Sequence, residues 1–188
     1  MDNARNRIVW AVVIPQIVIL AISILWICVF PQDNVAKYFR FDLSVLLGGI
    51  LTGIGLALAG YCFYLFAKKT GKFSSAVELF EKILSPSFIT LKPIDIIVLS
   101  LIAGFSEEVF FRGLLNQRFG IVLSSLAFGL LHLPGKKYWI YAVWATMSGA
   151  LFAYLLMVTG SIWLPIIAHG LNNLIGMFLL KTLQRLRK

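Results

Sequence analysis

Few residues of this chain are charged, and the residues that usually build a soluble catalytic centre are nearly absent. Charged side chains make up 13% of the 188 residues, against roughly 25% in soluble globular domains. An ordinary water-facing surface cannot be assembled from so few. The two cysteines, Cys28 and Cys62, both fall in apolar stretches. That excludes a disulfide framework and a cysteine metal cluster, and each is expected to be a small core hydrophobe. A His-Glu-x-x-His pattern, the helix signature of a zinc protease, is missing. There is no internal repeat and no low-complexity segment. The two histidines and eight acids are scarce enough that their positions carry information.

Long apolar runs are what the chain does have. Apolar residues are 60% of the total, above the usual 45–50% or so. The sequence therefore predicts an all-α, polytopic integral membrane protein in one domain, with about six spans. Residues 8–30 carry no charge and are long enough to cross a hydrocarbon layer of roughly 30 Å. Arg5 and Arg7 precede this run, but no small-residue cleavage site follows, so it reads as a retained span. Trp10 and Trp26 stand near its ends, and Pro15 is expected to kink it. Residues 43–67 form the second span, with Gly48, Gly49, Gly53, Gly55 and Gly60 suited to close helix packing. That glycine-rich helix is also where contact with another membrane protein would be sought. Between residues 68 and 92, Ala76, Val77, Phe80, Ile83 and Leu84 recur at helical spacing among charges. They predict an amphipathic interfacial helix, read as a linker rather than a substrate gate. The remaining spans are 93–117, a short 121–133 stopped by Pro134-Gly135, then 138–158 and 161–180. Residues 93–180 thus form a four-helix core behind two N-terminal spans.

Net charge is +9. A basic balance can indicate nucleic acid, but here most of the positive charges flank the spans. They fit topology and anionic lipid headgroups instead, and no nucleic-acid partner is expected. With six spans, 13 of the 17 basic residues fall on the side of the termini and 3 on the other, with Arg112 inside a span. The tail charges Lys181, Arg185, Arg187 and Lys188 belong to the first group. The positive-inside rule then places both termini in the cytoplasm.

The chemistry is concentrated in Ser106-Glu-Glu-Val-Phe-Phe-Arg112. Ionisable groups at bilayer depth cost roughly 2.5–3.5 kcal/mol each on insertion scales, so they mark function by default. Glu108 and Arg112 are four apart and can pair on one helix face. Glu107 is turned about 100° away and is left available for chemistry. At about 1.5 Å per residue, Glu107 lies about 21 Å from the start of its helix, His132 about 16 Å from the opposite face and His169 about 12 Å from that face. All three estimates fall toward mid-membrane. Asn173 follows His169 by four residues, and Phe128 precedes His132 by four, so each pair shares a face. As a buried structural ion pair, the cluster would account for Glu108 and Arg112 but not for Glu107.

In order, these patterns are Glu-Glu-x-x-x-Arg, Phe-x-x-x-His and His-x-x-x-Asn. Together, inside membrane spans, they resemble the CPBP family of intramembrane proteases, also called the Abi or CAAX-protease family. The family includes the Ras-converting CAAX endopeptidase and bacterial proteins linked to bacteriocin processing and self-immunity. The chain looks more like a compact prokaryotic member of the cell inner membrane than like the longer eukaryotic enzymes. The resemblance implies a glutamate-dependent peptidase without a cofactor. Glu107 would be the general base, His132 would help hold the water, and His169 and Asn173 would stabilise the oxyanion. Glu108, Arg112 and Phe128 would be supporting residues. The implied partners are the bilayer and a membrane-associated protein or peptide substrate, prenylated or leader-bearing. Alternatively, Glu107, His132 and His169 could bind zinc with a water in the fourth position; Asn173 is a poor zinc ligand, which favours the metal-free mechanism. Two other readings stay open. One is a non-enzymatic immunity or scaffold protein within a membrane complex. The other, a small proton-coupled transporter, lacks the broken-helix symmetry such proteins often show.

Overall fold

In a computed structural model of the chain, residues 2–33 and 35–186 are described; the tail charges Arg187 and Lys188 lie outside them. The described residues are helical, without strands. Helix α1 spans Asp2–Val29 and runs on through Pro15. A 3-10 turn at Val35–Tyr38 leads to α2, Leu43–Thr70. Asp42 caps α2, its carboxylate accepting from Val45 N at 2.9 Å and Ser44 Oγ at 2.6 Å. Those two donors hold the exposed Asp42 carboxyl below its ordinary value, the Ser44 hydroxyl contributing most. Gly71, in the left-handed region, ends the helix.

Helix α3, Ser74–Phe88, contains a π-helical stretch at Leu79–Leu84. The expected amphipathic helix is there. Ala76 and Leu79 are buried, while Phe80, Leu84 and Phe88 line an interior cavity. Glu81 holds α3 to the end of α2, through Tyr64 Oη at 2.6 Å and Lys68 Nζ at 3.1 Å. Glu78 joins it to Lys137 at 2.6 Å. The apolar face of α3 therefore roofs a cavity.

Helix α4 starts at Pro93, is α-helical over Pro93–Glu108, turns π-helical over Val109–Leu115 and continues to residue 119. Gly120, with φ 76°, makes the expected turn into α5, residues 121–131. That second arm is roughly 16 Å long, about half a bilayer, and it ends inside the protein at His132. Helices α6, Trp139–Thr159, and α7, Trp163–Arg185, complete the chain. Helices α1, α2, α6 and α7 are long and apolar enough to cross a membrane, and the bent run of α3 with α4–α5 supplies a fifth candidate. The protein is an all-α integral membrane protein.

Glycine sets the helix spacings. On α2, a Cβ on Gly49 would stand 2.8 Å from Ile167 Cβ, and one on Gly53 would stand 2.8 Å from Ala168 O. This face of α2 is thus occupied by α7 of the same chain; Gly55 has open space instead. On α4, a Cβ on Gly104 would meet Gly170 N at 2.8 Å, so α4 and α7 cross backbone to backbone. Gly129 of α5 packs equally closely on Ala142 O of α6. Cys28 and Cys62 are both exposed on the outer face rather than in the core. Periodicity alone could not assign them a side, because an outward face in lipid is as apolar as the interior.

Helix α1 runs parallel to α4 and is fastened to it at both ends. Arg5 forms a two-pronged pair with Asp95, at 2.7 and 2.5 Å. At the other end Trp26 Nε1 donates to Asp33 at 2.8 Å, and Arg118 reaches the same carboxylate at 3.0 Å. Ser85 Oγ donates to Leu180 O at 2.6 Å, and Lys181 Nζ reaches Leu91 O, so the described C-terminal end lies on the Arg5 side.

Candidate active site

Where α4 crosses α7, one turn past Gly104, the two carboxylates are buried at 6% exposure for Glu107 and 0% for Glu108. The helix turns them into different surroundings. Glu108 Oε1 accepts from Arg112 Nη1 at 3.0 Å and is bonded to His169 Nδ1 at 2.7 Å. Arg112 is itself 1% exposed, with its guanidinium carbon 4.2 Å from the centre of the Phe128 ring and 5.4 Å from that of Phe152. Gly149 on α6 makes room for it, since a Cβ there would lie 2.8 Å from Arg112 Nη2. The expected Glu108–Arg112 pair is therefore formed inside an aromatic sleeve, where cation–π contact adds to the ion pair.

Glu107 has no arginine. Its Oε1 accepts from Gln16 Nε2 of α1 at 2.8 Å. Its Oε2 is buried without a hydrogen-bond partner. That oxygen faces His132 Nε2 at 3.6 Å and His169 Nε2 at 3.9 Å, both beyond hydrogen-bond range. His132, at the end of α5, places Nδ1 2.8 Å from the Phe128 carbonyl, so that nitrogen carries the proton and donates. A neutral His132 then presents the Nε2 lone pair toward Glu107. His169 is likewise fixed at Nδ1, by the Glu108 carboxylate, and its ring stacks on Phe152 at 5.5 Å.

The cavity beside this cluster measures about 330 Å³. Glu107, His132, Gln16 and Asn173 form its polar end. The rest is apolar and aromatic, including Tyr61, Phe80, Tyr141, Trp144 and Met177. Asn173 lies one turn beyond His169, as its spacing predicts, and Asn172 lines the same space. Phe128 is 3% exposed, 4.3 Å from the His132 ring and 5.7 Å from the His169 ring, and works as the spacer between the histidines. Of the seven residues singled out in the sequence, Glu107, His132 and Asn173 line the cavity; Phe128 and His169 stand against His132 and Glu107, and Glu108 and Arg112 lie behind them, joined to His169 and Phe128. Gln16 and Ser106 were missed. The signal was present, because Gln16 and Ser23 are the polar side chains of the 8–30 run.

Residues 89–175 match the family described as type II CAAX prenyl endopeptidase Rce1-like. Two Bacillus subtilis (strain 168) proteins are similar. One is named "Uncharacterized protein YpbD", 34% identical over 39% of this chain and 39% of its own length. The other is named "Putative membrane peptidase YdiL", 35% identical over 43% of this chain and 35% of its own length. The matched part is therefore less than two fifths of either relative. No solved structure matches. The matched segment holds Glu107, Glu108, Arg112, Phe128, His132, His169 and Asn173, and over these 87 residues, a little under half of the chain, the protein is similar to the Rce1-like family.

Proposed function

We propose that this chain is a membrane-embedded endopeptidase that hydrolyses a peptide bond with a water activated by Glu107. The observation that carries the reading is the unpartnered Oε2 of Glu107, aimed at the polar end of an apolar cavity and flanked by two histidines. A water on the cavity side has two hydrogens to give, and Glu107 Oε2 and His132 Nε2 are two acceptors. Donating to both leaves its lone pair directed at a substrate carbonyl. Glu107 takes the proton as the oxygen attacks, and the carbonyl π electrons move onto the substrate oxygen. The C–N bond then breaks, and Glu107 returns the proton to the leaving amine. In this reading Asn173 and, when protonated at Nε2, His169 donate to the oxyanion, a contribution worth several kcal/mol in a dry site.

The apolar walls favour a membrane-associated substrate with a lipid or apolar tail beside its scissile bond. The family description names prenyl endopeptidases, which supports a prenylated C-terminal segment as the first substrate to try. The basic residues gathered on the side of the termini support a cytoplasmic location for both ends in a cell inner membrane. Among the described residues, no three side chains close into a metal-ligand group. The metal-free route is the reading adopted because Asn173, one turn from His169, is a poor zinc ligand, with Glu107, His132 and His169 as the set a chelator would test.

The experiment incubates the detergent-purified protein with prenylated, leader and membrane-span peptides and reads products by mass spectrometry. Glu107→Gln is expected to slow cleavage about 10²- to 10⁴-fold, the usual contribution of a general base. Chelator is expected to leave the rate unchanged. Wild-type cleavage by Glu107→Gln would end the proposal, and loss with chelator would transfer it to a metal.

A further inference from the structure

Helix α1 lies outside the matched segment, yet it contributes an atom to the polar cluster. Gln16 is 6% exposed in a helix otherwise apolar at that depth. Its amide is oriented from both sides. Nε2 donates to Glu107 Oε1 at 2.8 Å, and Oε1 accepts from Ser106 Oγ at 2.5 Å. Ser106 is completely buried, and its hydroxyl also lies 2.8 Å from Ile102 O, so α4 fixes it in place. Turning the amide over would set Gln16 Oε1 against the Glu107 carboxylate, acceptor to acceptor.

The register of α1 puts the amide there. Gln16 is about 16 Å along α1 from Arg5, and Glu107 is about 18 Å along α4 from Asp95. Since Arg5 and Asp95 are paired and the helices run parallel, the two side chains meet at nearly equal depth. The Trp26–Asp33–Arg118 fastening prevents slippage at the far end.

We propose that Gln16, supported by Ser106, is a positioning residue that selects which oxygen of Glu107 does chemistry. By occupying Oε1, the amide fixes the rotation of the carboxylate about its last bond. Oε2 is then held toward His132, His169 and the cavity. Without the amide the carboxylate turns freely, and the oxygen beside the water is in place for only part of the time. The inference rests on Glu107 being the base, and the test separates the two.

Full-length protein in detergent would be prepared as wild type, Glu107→Gln, Gln16→Met and Ser106→Ala. Methionine keeps the length and volume of glutamine but has no amide. The first readout needs no substrate. Infrared difference spectra against Glu107→Gln isolate the Glu107 carboxyl bands, and these are expected to shift in Gln16→Met. Unshifted bands would overturn the proposal. The second readout is hydrolysis of a farnesylated C-terminal peptide. Gln16→Met is expected to lower kcat about 10- to 100-fold, the scale of a displaced reacting group, with KM within about twofold and the melting temperature preserved. Ser106→Ala is expected to have a smaller effect in the same direction, and none when added to Gln16→Met. A normal kcat in Gln16→Met, or a kcat that falls only together with the melting temperature, would overturn the role of Gln16. In the first case an inactive Glu107→Gln would leave the base assignment standing. An active Glu107→Gln would remove the base assignment itself.

Discussion

Replacing Gly104 by alanine adds one methyl group where no side chain has room. Its Cβ would lie 2.8 Å from Gly170 N, 2.9 Å from Gly170 Cα and 3.0 Å from Ile166 O. All three are backbone atoms of α7, so no rotamer change relieves the contact. Ordinary van der Waals separation begins near 3.4 Å, and the helices must part by about 0.5 Å to reach it. One turn along, the 2.7 Å bond between Glu108 and His169 spans the same two helices. Opened by that amount, it stretches to about 3.2 Å, the long limit of hydrogen-bond range, and weakens. Overpacking of this kind costs about 1–3 kcal/mol, and a hydrogen bond to a charged group contributes about 1.5–3 kcal/mol. The better helix propensity of alanine returns about 1 kcal/mol. With the bond weakened by about half, the net expectation is a loss of about 1–3.5 kcal/mol, read by unfolding of the detergent-solubilised protein. Gly55→Ala is the matched control, because its Cβ meets nothing within 4 Å. It is expected to be neutral or slightly stabilising. If Gly104→Ala unfolds with Gly55→Ala, then the backbone crossing does not set the Glu108–His169 distance, and the reasoning fails.

Arg112→Met leaves the Glu108 carboxylate buried without its cation, a defect that costs about 3–5 kcal/mol. Adding Glu108→Gln is expected to recover much of that loss in the same unfolding assay, and a double variant no more stable than the single one would refute the pairing. Asp42→Ala tests the cap on α2. The Asp42 carboxyl is held below its ordinary value of 3.8 in the fold. Its stabilisation is therefore present above the unfolded value and lost as pH falls through the lower folded value. The variant is expected to melt earlier than wild type at neutral pH and together with it at pH 2. A gap of equal size at both pH values would count against the carboxylate as the cap.

Much of the site was legible because charge inside an apolar run has few explanations. Glu107, His132 and His169 could be placed near one depth from helical rise alone, and the helices do bring both histidines within 4 Å of Glu107. The Glu108–Arg112 pair followed from a spacing of four, which survives although the π-helical stretch begins between them. Contacts between helices distant in sequence were not legible. No local pattern tells that Gln16 and Glu107 share a depth, since that depends on Arg5 meeting Asp95. The glycines of α2 announced close packing without naming α7 as the partner. For Cys28 and Cys62 the apolar pattern misled, because lipid and core favour the same residues. The amphipathic α3 was legible as a helix, but its apolar face covers the cavity, a destination set by Glu78 and Glu81 at its edge.

The two adjacent carboxylates differ through helix geometry more than through chemistry. A step of about 100° carries Glu108 into the space between α6 and α7, where a guanidinium and an imidazole share one of its oxygens. The same step leaves Glu107 facing α1 and the cavity, where the partner on one oxygen is a neutral amide. A base that met Arg112 directly would have its negative charge stabilised and its affinity for a proton reduced. An amide on one oxygen orients the carboxylate while withdrawing less of its charge. The pair thus divides the work. Glu108 pairs with Arg112 and holds His169 in place, and in the proposed mechanism Glu107 keeps an oxygen free for water. Exchanging the two residues' environments by moving the arginine would remove that division, even with every residue type retained.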